Sequence, residues 1–217
     1  SSHLVRARRV REGDAVVLFD GRGETRAGTL KDANPKRAVV SVTGTYPDRE
    51  PKRALTICVS LPEGGKTDRM LFQLAELGVS RLVPLACART PKGRMDLVGR
   101  RRERWVKLAR EAAKSSGRSR LLEVLAPRTF EDVARERGAG LLLLDPDPAL
   151  PTLGEVLPAA GELPWIGIGP EGGFTDAELT AARDALRARL ARTALRTETA
   201  ALAAAAVASA LPEGSGA

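Results

Sequence analysis

The chain has 217 residues, of which 43% are hydrophobic, and this suits one large domain or a medium domain beside a small one. The two cysteines have neither metal-ligand nor disulfide spacing, which argues against a metal site and a disulfide scaffold. The sequence has no apolar run of membrane-spanning length and no signal peptide, which argues against a membrane partner. Together these features predict a cytoplasmic protein. A net charge of +8 and a pI near 10.2 favour a polyanionic partner, most simply nucleic acid, over a basic surface that serves only solubility.

The amino-terminal part of the chain consists of short runs bounded by turn residues. Strands are predicted over residues 14–20, 24–30 and 36–43, with a Gly-Arg-Gly turn after the first. Residues 46–53 (YPDREPKR) form a proline-rich polar linker. This pattern predicts a small antiparallel barrel or sheet and a domain boundary after residue 53, with domains 1–53 and 54–217.

From residue 55 onward, apolar runs alternate with amphipathic segments. Buried strands are predicted over residues 55–61, 79–85, 121–125, 141–144 and 163–168. Helices are predicted to begin near Thr67, Thr129, Thr175 and Glu198, and a further helix carries the apolar stripe Trp105, Leu108, Ala109 and Ala112. Residues 183–192 are interpreted as helical and basic. This alternation predicts an α/β domain with a mostly parallel sheet covered by helices.

The stretch WIGIGPEGGF over residues 165–174 contains a G-x-G-x-x-G pattern after a predicted strand. A dinucleotide fingerprint usually opens a domain and has an acidic residue about 20 positions later, and neither condition holds here. Glu171 would also place a carboxylate where a pyrophosphate lies, and Pro170 removes an N–H donor. Glycines allow a ligand to approach the backbone closely, and a carboxylate suits positive charge or hydroxyl donors. These features favour S-adenosylmethionine, which carries a sulfonium and an ammonium but no phosphate.

A second unusual stretch, LRTETAA over residues 195–201, begins the last predicted helix, with Thr197 or Thr199 available as its N-cap. A helix start with a solvated Arg196 explains this stretch equally well. Taken with GPEGGF at residues 169–174 and ELGV at residues 76–79, the stretch resembles the RsmE family of bacterial methyltransferases, which make N3-methyluridine in 16S rRNA. The order and approximate spacing of the motifs agree over nearly the whole chain.

The resemblance implies a fold, a cofactor and a set of cofactor contacts. Members of the family have a small PUA-like β-barrel followed by an α/β SPOUT domain with a C-terminal trefoil knot, and they are usually homodimers. The knot loops bind S-adenosylmethionine. The implied cofactor-binding residues are Leu143, Leu144, Ile168, Gly169, Pro170, Glu171, Gly172, Gly173, Leu190, Ala194, Leu195 and Thr197. The chain departs from the family pattern at residues 191–193, where Ala-Arg-Thr stands in place of Gly-Pro-Arg.

The implied reaction requires uracil N3 to lose its proton, and the sequence contains no carboxylate–histidine pair that could act as a conventional general base. The hypothesis is that Arg196 binds the uracil carbonyl oxygens and stabilises the developing anion. Glu171 or Glu198 would position Arg196 or take the proton, so these three are the predicted catalytic residues. An acid at a helix N-terminus, stabilised by the helix dipole, explains Glu198 equally well.

Basic side chains predict contacts with the phosphates of RNA, although charged helix faces are often only solvated. The candidates are Arg6, Arg9, Arg11, Lys66, Arg89, Lys107, Arg110 and Arg118. The predicted partner is 16S rRNA in the 30S subunit. Two other classes stay open at this point. One is a non-catalytic RNA-binding protein with a degenerate methyltransferase domain. The other is a nucleotide-dependent oxidoreductase, which Glu171 disfavours.

Overall fold

The structure is a computed structural model that describes residues 10–211, except residues 35, 48, 52 and 162. The chain divides into two compact units. The first runs to Glu50 and includes Gly117–Arg120, and the second comprises Pro51–Ser116 and the chain from Leu121. The sequence pattern gives no sign that residues 117–120 belong with the first unit. The predicted boundary between residues 53 and 54 stays a prediction.

The first unit contains an antiparallel sheet, as the short turn-bounded runs predict. Its strands, in spatial order, are β1 (Ala15–Phe19), β2 (Thr25–Asp32) and β3 (Val39–Thr45). Gly28 is required in β2 because a Cβ there would lie 2.6 Å from the Val40 side chain and 2.9 Å from the Ser41 carbonyl oxygen. Close approach of two strands, rather than a turn, therefore explains this glycine.

A buried carboxylate, Glu50, holds residues 117–120 within the first unit. It accepts hydrogen bonds from the Arg118 guanidinium at 2.7 Å and from the backbone N–H groups of Ser119 and Arg120 at 2.7 and 2.8 Å. Burial acts to raise the pKa of Glu50, but the hydrogen bonds from Arg118 and Arg120 outweigh it and hold the pKa below its usual value. The Arg118 side chain is only 6% exposed. The prediction that Arg118 contacts RNA does not fit this position, because its charge neutralises a buried acid.

A parallel sheet forms the centre of the second unit. Its strands are β4 (Thr56–Val59), β5 (Arg81–Ala86), β6 (Glu123–Val124), β7 (Arg128–Thr129), β8 (Leu141–Leu144), β9 (Trp165–Ile168) and β10 (Leu186–Ala188). They lie in the order β10–β8–β9–β4–β5–β6, and β7 also pairs with β5. All of these pairs are parallel, which confirms the predicted sheet type.

Helices cover both faces of this sheet. They are α1 (Lys66–Glu76), α2 (Asp96–Ser116), α3 (Phe130–Arg137), α4 (Leu153–Val156), α5 (Asp176–Ala181) and α6 (Thr197–Ala210), with 3₁₀ turns at Gly138–Gly140 and Leu157–Ala160. Successive strand side chains point to opposite faces. On β4, Ile57 and Val59 join the core that contains residues of α1, α2 and α6, whereas Cys58 joins the core that contains residues of α3 and α5.

Both cysteines are buried, as predicted. Burial raises the pKa of the Cys58 thiol well above its ordinary value, and it raises the pKa of Cys87 to about 12. The two thiols are therefore protonated at neutral pH and behave as small apolar side chains.

Helices α1 and α2 pack around a buried acid. Leu71 and Leu74 lie on the predicted apolar face of α1 and have no exposed surface. Asp68, on the same helix, accepts hydrogen bonds from Trp105 Nε1 at 2.8 Å and from Arg104 Nε at 2.5 Å. Burial acts to raise the pKa of Asp68, but these donors outweigh it and lower the pKa. The acid therefore stays ionised and joins the two helices.

The prediction that residues 183–192 are helical is wrong. Residues 186–188 form β10, which pairs in parallel with β8 at the edge of the sheet. Arginine, alanine and leucine favour helices intrinsically, but pairing with β8 buries Ala188 completely and brings Arg187 to within 2.7 Å of Asp145. The predicted trefoil knot stays a prediction. None of the helices in the described part of the chain has the length and apolar character to cross a membrane.

Candidate functional site

A cavity of about 330 Å³ lies beyond the carboxyl ends of β8 and β9, where ligands of parallel α/β sheets are usually bound. Three segments line it. The first, residues 144–146, begins at the last residue of β8, and the second, which we call the glycine loop (residues 169–174), follows β9. The third, the C-terminal loop (residues 190–197), leads from β10 into α6.

Hydrogen bonds fix the glycine loop on both sides of Glu171. Thr197 Oγ1, from the C-terminal loop, donates to the Gly169 carbonyl oxygen at 3.3 Å. The Arg89 guanidinium donates to the carbonyl oxygens of Gly172 and Phe174. The two distinctive sequence motifs therefore meet directly at the cavity.

A tight turn shapes the same loop. The Gly173 N–H donates to the Pro170 carbonyl oxygen at 2.8 Å, so Glu171 and Gly172 are its central residues. Gly173 has a φ of +70°, a region that L side chains rarely adopt. A Cβ on Gly169 would lie 3.3 Å from the Phe174 ring. The backbone conformation thus favours glycine at residue 173, and the Phe174 ring leaves little room for a side chain at residue 169.

The glycine loop ends in a buried capping box at the start of α5. The Glu178 side chain accepts from the Thr175 N–H at 2.8 Å and from Thr175 Oγ1 at 3.0 Å, and the Thr175 hydroxyl accepts from the Glu178 N–H. The other carboxylate oxygen of Glu178 accepts from the Ala88 N–H at 2.8 Å. Glu178 is only 2% exposed, so it ties the glycine loop to the segment that follows β5 inside the protein.

The charge on the cavity lining is negative. Asp145 and Glu171 contribute carboxylates, and no lysine, arginine or histidine from the described residues belongs to the lining. Asp145 is paired with Arg187 at 2.7 Å and its side chain is 16% exposed. This lining contrasts with the excess of basic residues in the whole chain, and it offers no cation to a phosphate.

Every predicted cofactor-binding residue except Leu143 lines the cavity. Leu143 has no exposed surface. Its side chain packs against Gly167, where an added Cβ would lie only 2.7 Å from the Leu143 side chain. It therefore packs beneath the site rather than facing it. Contact between the lining residues and a cofactor stays a prediction.

Of the three predicted catalytic residues, only Glu171 lines the cavity. Arg196 is the N-cap residue of α6 and is exposed. The expectation that Thr197 or Thr199 caps this helix is wrong, because the Thr197 hydroxyl bonds to Gly169 instead. Glu198 Oε1 lies 3.4 Å from Lys66 Nζ, and its Oε2 is buried with no hydrogen-bond partner among the described residues.

Apart from Arg118, which pairs with Glu50, the predicted RNA contacts fall into three groups. Arg6 and Arg9 lie outside the described residues. Arg11, Lys107 and Arg110 are exposed. Lys66 forms an ion pair with Glu198, and Arg89 donates to the backbone of the glycine loop, so both side chains also make contacts within the protein.

Sequence reasoning missed the supporting residues. The capping box of Thr175 and Glu178 is visible as a motif, but the bond from Ala88 N–H to Glu178 joins residues 90 positions apart. Ala200, on the first turn of α6, lines the cavity and was hidden in an alanine-rich run. Asp145 also lines the cavity, and it belongs to residues 143–146, one of the cofactor loops that the family resemblance implies, although it is not among the individual contacts implied there.

Comparison with protein families agrees with this architecture. A model of an RNA methyltransferase domain matches residues 49–209, and a model of an RNA methyltransferase PUA domain matches residues 1–43. The two matches define the class of protein as an RNA methyltransferase with an amino-terminal PUA domain.

Individual relatives narrow this class. Ribosomal RNA small subunit methyltransferase E from Bacillus subtilis is 29% identical over 216 residues, which cover 92% of this chain and 83% of the relative. The protein of the same name from Mycobacterium bovis is 31% identical over 215 residues, which cover 92% of this chain and 79% of the relative. The crystal structure of the Neisseria gonorrhoeae protein of that name, bound to S-adenosyl methionine, has a TM-score of 0.82 at 27% identity and covers 94% of this chain and 86% of that chain. The chain belongs to the ribosomal RNA small subunit methyltransferase E family, which confirms the family that the sequence motifs predict.

Proposed function

We propose that this chain transfers a methyl group from S-adenosylmethionine to N3 of a uridine in 16S rRNA, acting on the 30S subunit in the cytoplasm. The observation that carries the proposal is the cavity at which the glycine loop and the C-terminal loop meet, joined by the bond from Thr197 to Gly169. Family membership supplies the reaction type, and relatives that carry the family name include one with S-adenosyl methionine bound.

The cavity lining fits this cofactor. Backbone groups of Gly169, Gly172 and Leu195 would bind its adenine and methionine parts, because the glycines leave the main chain accessible. When bound, the cofactor supplies an electrophilic methyl group on a positively charged sulfur. The carboxylate of Glu171 suits that positive charge, and among the described residues no basic side chain in the lining would hold a pyrophosphate.

Arg196 is the proposed contact to the uracil base. It is exposed immediately before α6, beside the lining residues Leu195 and Thr197, and it makes no ion pair with the described residues. A guanidinium that donates to the uracil carbonyl oxygens would stabilise the negative charge that appears as N3 loses its proton. Glu171, which lines the cavity, fits the task of taking that proton better than Glu198, whose carboxylate faces Lys66.

Exposed basic residues in both units are proposed to bind rRNA phosphates. Arg11 belongs to the first unit, and Lys107 and Arg110 lie on α2 in the second. Such contacts position RNA without reading its sequence. We also extend to this chain the homodimer and the trefoil knot that the family resemblance implies.

The decisive experiment incubates the protein and S-adenosylmethionine with 30S subunits that lack the methyl group, and then maps 16S rRNA by reverse transcription. An N3 methyl blocks base pairing and stops the copy. Arg196→Ala should lower the rate by about 100-fold or more, as expected for loss of a group that stabilises a developing anion. Its affinity for S-adenosylmethionine should be unchanged, because Arg196 does not line the cavity.

The matched control is Arg192→Ala, which removes another exposed arginine from the C-terminal loop that does not line the cavity. It should keep the wild-type rate. If wild-type protein produces no stop of reverse transcription, the proposed reaction is refuted. If the two variants react at equal rates, only the role of Arg196 is refuted.

A further inference from the structure

Glu171 differs from the other acid of the cavity in having no partner among the described residues. Asp145 is neutralised by Arg187 at 2.7 Å, whereas Glu171 is exposed and makes no ion pair or side-chain hydrogen bond with that part of the chain. The cavity therefore presents one uncompensated negative charge.

The backbone that carries this charge is fixed. Glu171 is a central residue of the turn closed by Gly173 and Pro170. Thr197 binds the carbonyl oxygen two residues before it, and Arg89 binds the carbonyl oxygen of the residue after it. Because the Arg89 guanidinium is occupied with the carbonyl oxygens of Gly172 and Phe174, it supports the loop and forms no ion pair with Glu171.

The proposed reaction changes the charge of the molecule in this cavity. The S–CH₃ bond breaks with its electron pair left on sulfur, and the new N–CH₃ bond uses the electron pair that N3 keeps when its proton passes to Glu171 and from there to water. The sulfonium becomes a neutral thioether, so the donor loses one positive charge while its adenosine and amino-acid parts stay the same. A nearby unpaired carboxylate interacts with the donor and the product differently for this reason alone.

We propose that Glu171 makes the cavity selective for the sulfonium donor over the neutral product, S-adenosylhomocysteine, so that product leaves and donor replaces it. This inference rests on the proposed function and gives Glu171 a binding role in addition to the proton-accepting role considered for it. Because Glu171 is exposed, water weakens the attraction, and the preference should be modest and should decrease with salt.

The test is calorimetric titration of wild-type protein and Glu171→Gln with S-adenosylmethionine and with S-adenosylhomocysteine. Glutamine keeps the size of the side chain and removes its charge. In the variant, the dissociation constant for S-adenosylmethionine divided by that for S-adenosylhomocysteine should rise by about threefold to tenfold. This is the effect of one screened charge at contact distance. The affinity for the product itself should change little.

Asp176→Asn is the charge-matched control, because Asp176 is exposed at the start of α5 and does not line the cavity. It should leave the ratio unchanged. If wild-type protein binds neither ligand, the proposed function fails and this inference fails with it. If wild-type protein binds both ligands and Glu171→Gln leaves the ratio as it was, the proposed function stands and the role of Glu171 in selectivity is refuted.

Discussion

Replacing Glu178 with glutamine should loosen the glycine loop although the size of the side chain hardly changes. In the wild-type protein one carboxylate oxygen accepts from the Ala88 N–H at 2.8 Å, and the other accepts from the N–H and hydroxyl of Thr175 at 2.8 and 3.0 Å. An amide has only one oxygen. Its NH₂ group must therefore face either Ala88 or Thr175, where it meets another N–H donor.

The expected cost is the loss of at least one hydrogen bond to a charged acceptor inside the protein. Such bonds contribute about 1.5–3 kcal/mol, and the residue is only 2% exposed, so water cannot replace the lost acceptor. For a protein of this size the melting temperature should fall by about 4–10 °C. Affinity for S-adenosylmethionine should also fall, because Thr175 directly follows the loop that lines the cavity.

Glu155 provides a matched control, because it forms the same kind of capping box on the surface. It accepts from the N–H and hydroxyl of Thr152, both at 2.7 Å, at the start of the short helix α4. Glu155→Gln should change the melting temperature by less than about 2 °C, since water can solvate the donor that loses its partner. Thermal unfolding followed by circular dichroism measures both variants. Equal melting temperatures for the two variants would show that Glu178 does not support the loop from inside the protein.

Two further predictions concern the other polar contacts. Asp68→Asn should destabilise the protein by about 1–3 kcal/mol at pH 7 in urea unfolding, because a buried charged acceptor is lost. The folded-state pKa of Asp68 is lowered, so the difference in free energy of unfolding between the two proteins should shrink as the pH falls below about 4 and through that lowered pKa. A difference that persists unchanged at low pH would contradict a stabilising charge on Asp68. Thr197→Val should weaken S-adenosylmethionine binding by about twofold to tenfold, the value of one hydrogen bond to Gly169, while Thr199→Val on the same helix should not. Isothermal titration measures this second pair, and equal affinities would count against the contact.

The elements that the sequence predicts correctly have a local physical cause. The strand at residues 141–144 is an uninterrupted apolar run, and α3 begins after Thr129, whose hydroxyl accepts from the Asp132 N–H as an N-cap should. The same local reasoning gives the wrong prediction for β10, because its residues favour a helix intrinsically. Its partner strand ends more than 40 residues earlier, so only the tertiary pairing decides its conformation.

The sequence likewise predicts one part of the cavity and not the other. The glycine loop and the C-terminal loop are recognisable as motifs, and both line the cavity. What supports them is not recognisable, because the contacts join distant parts of the chain. Arg89 illustrates this: an exposed arginine in a basic protein predicts contact with RNA, and only the structure reveals its bonds to the carbonyl oxygens of Gly172 and Phe174.

The distribution of charge argues for two ligands of opposite sign on one chain. The net charge is +8, yet the described lining of the cavity contains two carboxylates and no basic side chain. A polyanion is attracted to the exposed basic residues and is not attracted into this cavity, whereas the carboxylates of the lining attract a cationic ligand. A dinucleotide would meet the carboxylate of Glu171 without a compensating cation in the lining. The same acid that disfavours a pyrophosphate therefore favours a sulfonium, and the position of that one carboxylate separates the two classes of cofactor.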